Sequence, residues 1–194
     1  MRIATYNVEW FANLFDTENK LLLDGGWSGR RDVTRVQQAE ALGIVLTALD
    51  ADAVMIIEAP DGHAKLSTER ALENFARYFK LRTRKALVGF TNETQQEIAL
   101  LYDPQVVTVR HDPLGDEKYP RFDQTFAMDL DVDAEPDPIR WSKPPLELAL
   151  DGPAGPLRLI GVHAAGSDDF VVSEAGDCFE LSMLSMDPCH KLDL

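Results

Sequence analysis

The chain has 194 residues, which is enough for one domain with a substantial core. Its net charge of −14 argues against broad electrostatic capture of duplex nucleic acid, which needs a cationic surface. A nucleic-acid substrate held by a local basic groove or by metal ions stays open. The sequence contains no apolar run long enough to span a membrane, so it predicts no membrane partner.

The first eighty residues predict strands and helices in alternation. Residues 2–8 are rich in strand formers and carry no signal-peptide pattern, which predicts a cytoplasmic protein. One helix is predicted after Asp32, its expected N-cap, and a second over residues 67–79. Between them, residues 52–58 form an apolar run that ends at a carboxylate, Glu58. Such a run is typical of a strand covered on both faces.

Strands dominate after residue 80. We expect them over residues 81–90, 98–102, 122–130, 146–150 and 157–163, with 106–109 pairing beside 98–102 as a hairpin. A short turn joins the last two, which must therefore pair antiparallel, and the final strand is predicted to be buried. Because helices and strands do not alternate regularly, the sequence predicts an α+β fold of mixed sheets with helices packed outside.

Candidate catalytic or metal-binding residues lie at three predicted strand ends: Asn7 with Glu9, then Glu58, then His163. Carboxylate and amide oxygens are ligands that Mg²⁺, Mn²⁺ and Ca²⁺ prefer, and an imidazole exchanges protons near neutral pH. Such a set, if it converges in space, suits hydrolysis of a phosphoester. Each residue also has a structural interpretation: Asn7 as a backbone brace, the two glutamates as solvated loop residues, and His163 as a hydrogen-bonded strand end.

Five segments in order resemble the endonuclease/exonuclease/phosphatase superfamily. They are residues 4–9 (ATYNVE), 52–58 (DAVMIIE), 97–102 (EIALLY), 142–148 (SKPPLEL) and 157–163 (LRLIGVH). The resemblance covers residues 1 to about 165. It implies a DNase I-like four-layer α-β-β-α sandwich, incomplete at its C-terminus, and a metal-dependent hydrolase of phosphodiester or phosphomonoester bonds.

The resemblance also implies roles for single residues. Glu58 matches the metal-binding glutamate of the family, for Mg²⁺ or Mn²⁺, and Glu9 matches a second acidic position near the metal. Asn7 matches an asparagine that organises the site, and His163 matches a histidine that contacts the scissile phosphate. Lys143 lies where many relatives have an arginine, and it would bind phosphate without bidentate geometry.

Two family motifs are missing from these 194 residues, namely Asp-x-Asn and the final Ser-Asp-His. We therefore expect a partial domain over residues 1–165 and an atypical tail over 166–194, which contains both cysteines, Cys178 and Cys189. The tail suggests a truncated or frame-shifted product, or else a genuine short variant. Three interpretations follow: an impaired hydrolase, a non-catalytic partial copy with residual metal or phosphate binding, or an unrelated α+β binding protein. Sheet edges left open by missing strands would favour pairing with another chain.

Overall fold

A computed structural model describes residues 1–63, 65–91, 96–115, 120–128 and 136–163. The expected tail, with Cys178 and Cys189, lies outside these residues. The helices are α1 (Arg35–Leu49), α2 (Thr68–Tyr78) and a short 3-10 helix (Phe11–Leu14). The strands are β1 (Ile3–Asn7), β2 (Ala53–Ala59), β3 (Lys85–Val88), β4 (Glu97–Tyr102), β5 (Thr108–His111), β6 (Phe126–Met128), β7 (Asp137–Ile139), β8 (Leu146–Gly152) and β9 (Gly155–Gly161).

The strands form two larger sheets and one separate pair. The first sheet has the order β1-β2-β4-β3, in which β1 runs parallel to β2 and the other neighbours are antiparallel. The second sheet has the order β5-β8-β9 and is antiparallel throughout, as the short turn between β8 and β9 requires. Strands β6 and β7 pair only with each other among the described residues. The predicted α+β class is confirmed.

Strand β2 supplies the core on both of its faces, as its unbroken apolar sequence predicts. Val54 and Ile56 face a cluster formed with both helices, whereas Met55 and Ile57 face a second cluster that includes β8. Successive side chains of a strand point to opposite faces, so one strand contributes to both clusters. The helices therefore cover the outer face of the first sheet, and the second sheet packs against its inner face.

Helix α1 begins two residues later than the sequence predicts. Its N-cap is Thr34, whose side chain accepts a hydrogen bond from the backbone of Gln37 while the Gln37 side chain accepts one from the backbone of Thr34. This reciprocal pair satisfies two backbone donors at once, which a single carboxylate at Asp32 would not do. The prediction of Asp32 as the N-cap is therefore wrong. No helix among the described ranges is both long and apolar enough to cross a membrane.

Two further predictions about strands are wrong. The segment after β4 does not form a hairpin with it, because the backbone of Val106 and Val107 turns back onto the Asp103 carbonyl and leads the chain to the second sheet. There β5 pairs with β8. Strand β9 is not buried either: it is the last strand of its sheet in the described chain, and Leu157 and Ile160 are 40% and 43% exposed.

Candidate functional site

Glu58 occupies an irregular position near the end of β2. The antiparallel register with β4 shifts between Ile57 and Ala59, so Glu58 forms a bulge. Its φ angle is 61°, in the left-handed region that a residue with a side chain adopts at a cost of about 1–2 kcal/mol. A bulge re-aims the side chain that it contains. Glu58 is half-buried, whereas the other residues of β2 are buried.

A chain of polar contacts joins Glu58 to residues from three other parts of the sequence. Nε2 of Gln96 donates a hydrogen bond of 2.9 Å to Oε2 of Glu58, and Nζ of Lys143 donates one of 2.7 Å to Oε1 of Gln96. Nε2 of His163 lies 3.3 Å from Oε1 of Glu58. We call these four residues, Glu58, Gln96, Lys143 and His163, the Glu58 site. Three of the four were predicted as site residues, and the structure brings them together.

Burial changes the proton affinity of the two basic groups in the Glu58 site. Desolvation lowers the pKa of His163, and the Lys143 ammonium lowers it further, although the Glu58 carboxylate acts in the opposite direction. Desolvation also lowers the pKa of Lys143, against the attraction of the Glu58 and Glu97 carboxylates. Burial thus favours the neutral forms of both groups, and an incoming anion would favour the charged forms.

Asn7 lies at the end of β1, in register with Ile57 of the neighbouring parallel strand. Together with His163 it lines a groove of about 330 Å³ between the edges of β1 and β9. A groove of this size lies at the lower end of the range for small-molecule sites. Asn7 and His163 therefore lie along one opening, as the sequence predicts for strand ends that converge.

Glu9 is placed differently from the other predicted site residues. Its carboxylate lies 3.6 Å from Nη2 of Arg30, and its side chain is 57% exposed. Its backbone carbonyl accepts a hydrogen bond from the Gln38 side chain. Within the described residues, no three His, Cys, Asp or Glu side chains come together as a metal-binding cluster. The predicted pairing of Glu9 with Glu58 around one ion stays a prediction.

Sequence analysis did not identify Gln96 or His63. Gln96 was not singled out because a glutamine ahead of a strand carries no chemical signature of its own. His63 lies in the predicted turn after β2, where Nδ1 of its ring is 2.6 Å from Oδ1 of Asp61. The spacing Asp-x-His was a usable signal for this contact, because a two-residue separation in a turn lets both side chains meet.

Comparison of the chain with protein-family models, with curated proteins and with solved structures found no match.

Proposed function

We propose that this protein is a phosphoester-binding hydrolase of the endonuclease/exonuclease/phosphatase type, with the Glu58 site as its active site. The observation that carries the proposal is the contact between Glu58 and His163, which joins the ends of β2 and β9 from two different sheets. A carboxylate, an imidazole and an ammonium group lie together in one partly buried cluster. Such a cluster fits phosphate recognition better than it fits a purely structural role.

The layering supports a DNase I-like fold. Two sheets pack face to face through the cluster that contains Met55 and Leu148, and both helices pack on the outer face of the first sheet. This α-β-β layering of the described part of the chain supports the proposed α-β-β-α sandwich. In this proposal the groove between β1 and β9 leads the substrate to Asn7 and His163.

Each residue of the proposed site has a distinct task. The Lys143 ammonium attracts a phosphate oxygen, and Gln96 fixes both Lys143 and Glu58 through its two hydrogen bonds. His163 donates a proton or a hydrogen bond to the phosphate. The negative charge of the bound phosphate would raise the pKa of His163 and so favour the protonated ring. Asn7 presents an amide to the same groove. The substrate class is therefore a small phosphodiester or phosphomonoester.

The donor atoms fit a divalent cation. Mg²⁺ is commonly held by one or two carboxylates, with waters and substrate phosphate completing its coordination. Glu58 and Asn7 present hard oxygen donors of this kind, so the lack of a three-residue cluster in the described ranges does not conflict with Mg²⁺ or Mn²⁺. The bound ion would supply charge neutralisation at a phosphate oxygen.

The test is hydrolysis of bis-p-nitrophenyl phosphate with Mg²⁺ or Mn²⁺, comparing the parent chain with Glu58→Gln. We expect metal-dependent turnover that Glu58→Gln reduces by about 100-fold, since it removes the charge but keeps the shape. Glu18→Gln is the matched control, because its carboxylate is 69% exposed and pairs with the equally exposed Lys20. Equal turnover in the parent and Glu58→Gln would contradict the proposal.

A second candidate is a non-catalytic protein that retains phosphate or metal binding. The absence of the Asp-x-Asn and Ser-Asp-His motifs from these 194 residues favours it. This candidate predicts that titration calorimetry detects Mn²⁺ or inorganic phosphate binding that Glu58→Gln or Lys143→Met weakens, with no hydrolysis in any variant. Folded parent protein that neither binds nor hydrolyses would exclude both candidates.

A further inference from the structure

A second histidine is held by a buried carboxylate beside the Glu58 site. Asp61 is 8% exposed, and its Oδ1 lies 2.6 Å from Nδ1 of His63, whose own side chain is 52% exposed. An ionised carboxylate only accepts hydrogen bonds, so Nδ1 of His63 must carry the proton. In the neutral ring, Nε2 then keeps its lone pair. We call this pair the Asp61–His63 dyad.

The dyad lies on a loop that hydrogen bonds hold in place. The His63 carbonyl accepts from the backbone of Leu66 at 2.9 Å. The backbone of Ser67, the N-cap of α2, donates to Oδ1 of Asn19, which is itself 2% exposed. A loop tied at these points restricts where the imidazole can reach. The orientation of His63 is therefore built into the fold, which is what a proton-transfer group requires.

The loop that carries the dyad comes close to the start of β4, which directly follows Gln96 of the Glu58 site. A Cβ atom placed on Gly62, between the two members of the dyad, would lie 2.8 Å from Oγ1 of Thr68 and 3.7 Å from Oε1 of Glu97. Glu97 follows Gln96 directly, and its charge acts on Lys143. The Asp61–His63 dyad thus lies on the loop that leaves the bulged end of β2, and this loop passes beside the Glu97 side chain.

The proposed hydrolysis needs a residue that accepts a proton from the attacking water. His163 already contacts the Glu58 carboxylate through Nε2, and Nζ of Lys143 already contacts Gln96, so both groups have partners within the site. We propose that His63, oriented by Asp61, is the proton-transfer residue of this site, an inference that rests on the proposed hydrolase function. Nε2 of His63 takes a proton from water as the water oxygen bonds to phosphorus. The bond from phosphorus to the leaving oxygen breaks on the opposite side of phosphorus, the leaving group departs with the electron pair as the oxyanion, and the imidazolium returns its proton to solvent.

Hydrolysis of bis-p-nitrophenyl phosphate by the full chain with Mn²⁺ tests the inference. We expect His63→Gln to lower kcat by about 100-fold with little change in KM. Asp61→Asn should lower kcat as well, and added imidazole should partly restore a His63→Gly variant. Lys65→Gln is the matched control, because Lys65 is an exposed residue of the same loop.

The outcomes separate this inference from the proposed function. Turnover that Glu58→Gln abolishes but His63→Gln leaves unchanged would overturn the role of His63 and retain the hydrolase. A parent without turnover would overturn both. The position of His63 relative to Glu58 is tested independently of activity by NMR spectra of ¹⁵N-labelled histidine with Mn²⁺ added. We expect Mn²⁺ to broaden the His63 ring signals in the parent chain but not in Glu58→Gln. A His63 ring that Mn²⁺ bound at Glu58 does not broaden would place it outside the site and overturn the inference.

Discussion

Nε2 of His163 lies 3.3 Å from Oε1 of Glu58, so a residue just beyond the last strand of the second sheet contacts a residue in the bulged end of the first. Neither sheet alone could form this contact. Because the two sheets must pack correctly before the side chains meet, the integrity of the Glu58 site reports the packing between the sheets. The contact also makes His163 sensitive to the burial and the charges that this packing creates.

The stability of the folded chain should depend on pH through His163. Its pKa is lowered in the folded state, chiefly by burial and secondly by Lys143. Between that value and the ordinary value of about 6.5, the unfolded state binds more protons, so stability rises with pH through this window. It falls as the pH drops below about 6.5, until the folded-state pKa is reached.

We expect the urea midpoint of unfolding to be lower at acid pH than at neutral pH, and His163→Gln to reduce this difference. His111, whose pKa burial also lowers, contributes in the same direction, so the difference should shrink rather than vanish. His111→Gln should therefore reduce it further when combined with His163→Gln. An unchanged pH dependence in His163→Gln would contradict a lowered pKa of His163 in the folded state.

The strained backbone of Glu58 should make glycine more stable than alanine at this position. Both substitutions remove the carboxylate, but only glycine adopts a φ of 61° without steric cost. We expect Glu58→Gly to be about 1 kcal/mol more stable than Glu58→Ala in urea unfolding. At Val54, which is buried in the regular part of the same strand, the order should reverse, since glycine weakens a strand interior. The same order at both positions would contradict strain at Glu58.

The sequence predicted strands that lead to Glu58 and His163 because a short apolar run has an evident direction, although β9 ends at Gly161, two residues before His163. It did not predict the bulge, since φ at Glu58 is imposed by pairing with β4 and glutamate has no preference for it. The exposure of β9 was also missed, because an apolar pattern cannot reveal whether a neighbouring strand covers it. The position of Gln96 depends on contacts between distant segments, which local patterns do not contain.

Gly43 should be intolerant of even a single added carbon. A Cβ atom there would clash with the ring of Phe79, the residue that caps α2 and packs on Phe75. Alanine normally favours a helix interior over glycine by about 1 kcal/mol, but overpacking a core costs about 1–3 kcal/mol. We expect Gly43→Ala to lower the free energy of unfolding by about 1 kcal/mol or more. Gly25→Ala, with no atom within 4 Å, should be close to neutral.

A double-mutant cycle tests the cause of the Gly43 effect. If the Phe79 ring is the obstacle, Phe79→Leu should recover most of the loss in the Gly43→Ala background while destabilising the parent chain. Additive effects of the two substitutions would mean that the clash lies elsewhere, and a Gly43→Ala variant more stable than the parent would contradict close packing between α1 and Phe79.

Strand β9 should promote association between copies of the chain. In the described residues it pairs only with β8, and an unpaired strand edge offers backbone donors and acceptors to another strand. Two residues of β9 oppose pairing with another strand. Pro156 has no backbone N–H to donate, and Arg158, which is ion-paired with Asp112 and Glu147, places a charged side chain on the edge strand. Ile160 and Leu157 are the exposed apolar residues of β9, and Ile160 is the more exposed of the two.

We expect sedimentation velocity to detect association that rises with protein concentration and that Ile160→Lys reduces, because a charge on an edge strand disfavours pairing with a second edge. Leu114→Lys is the control: Leu114 is 61% exposed, more than Ile160, but it lies outside the strands. An equal reduction by both variants would indicate general apolar adhesion rather than strand pairing. A parent chain that stays monomeric at every concentration would mean that the edge of β9 is covered in solution.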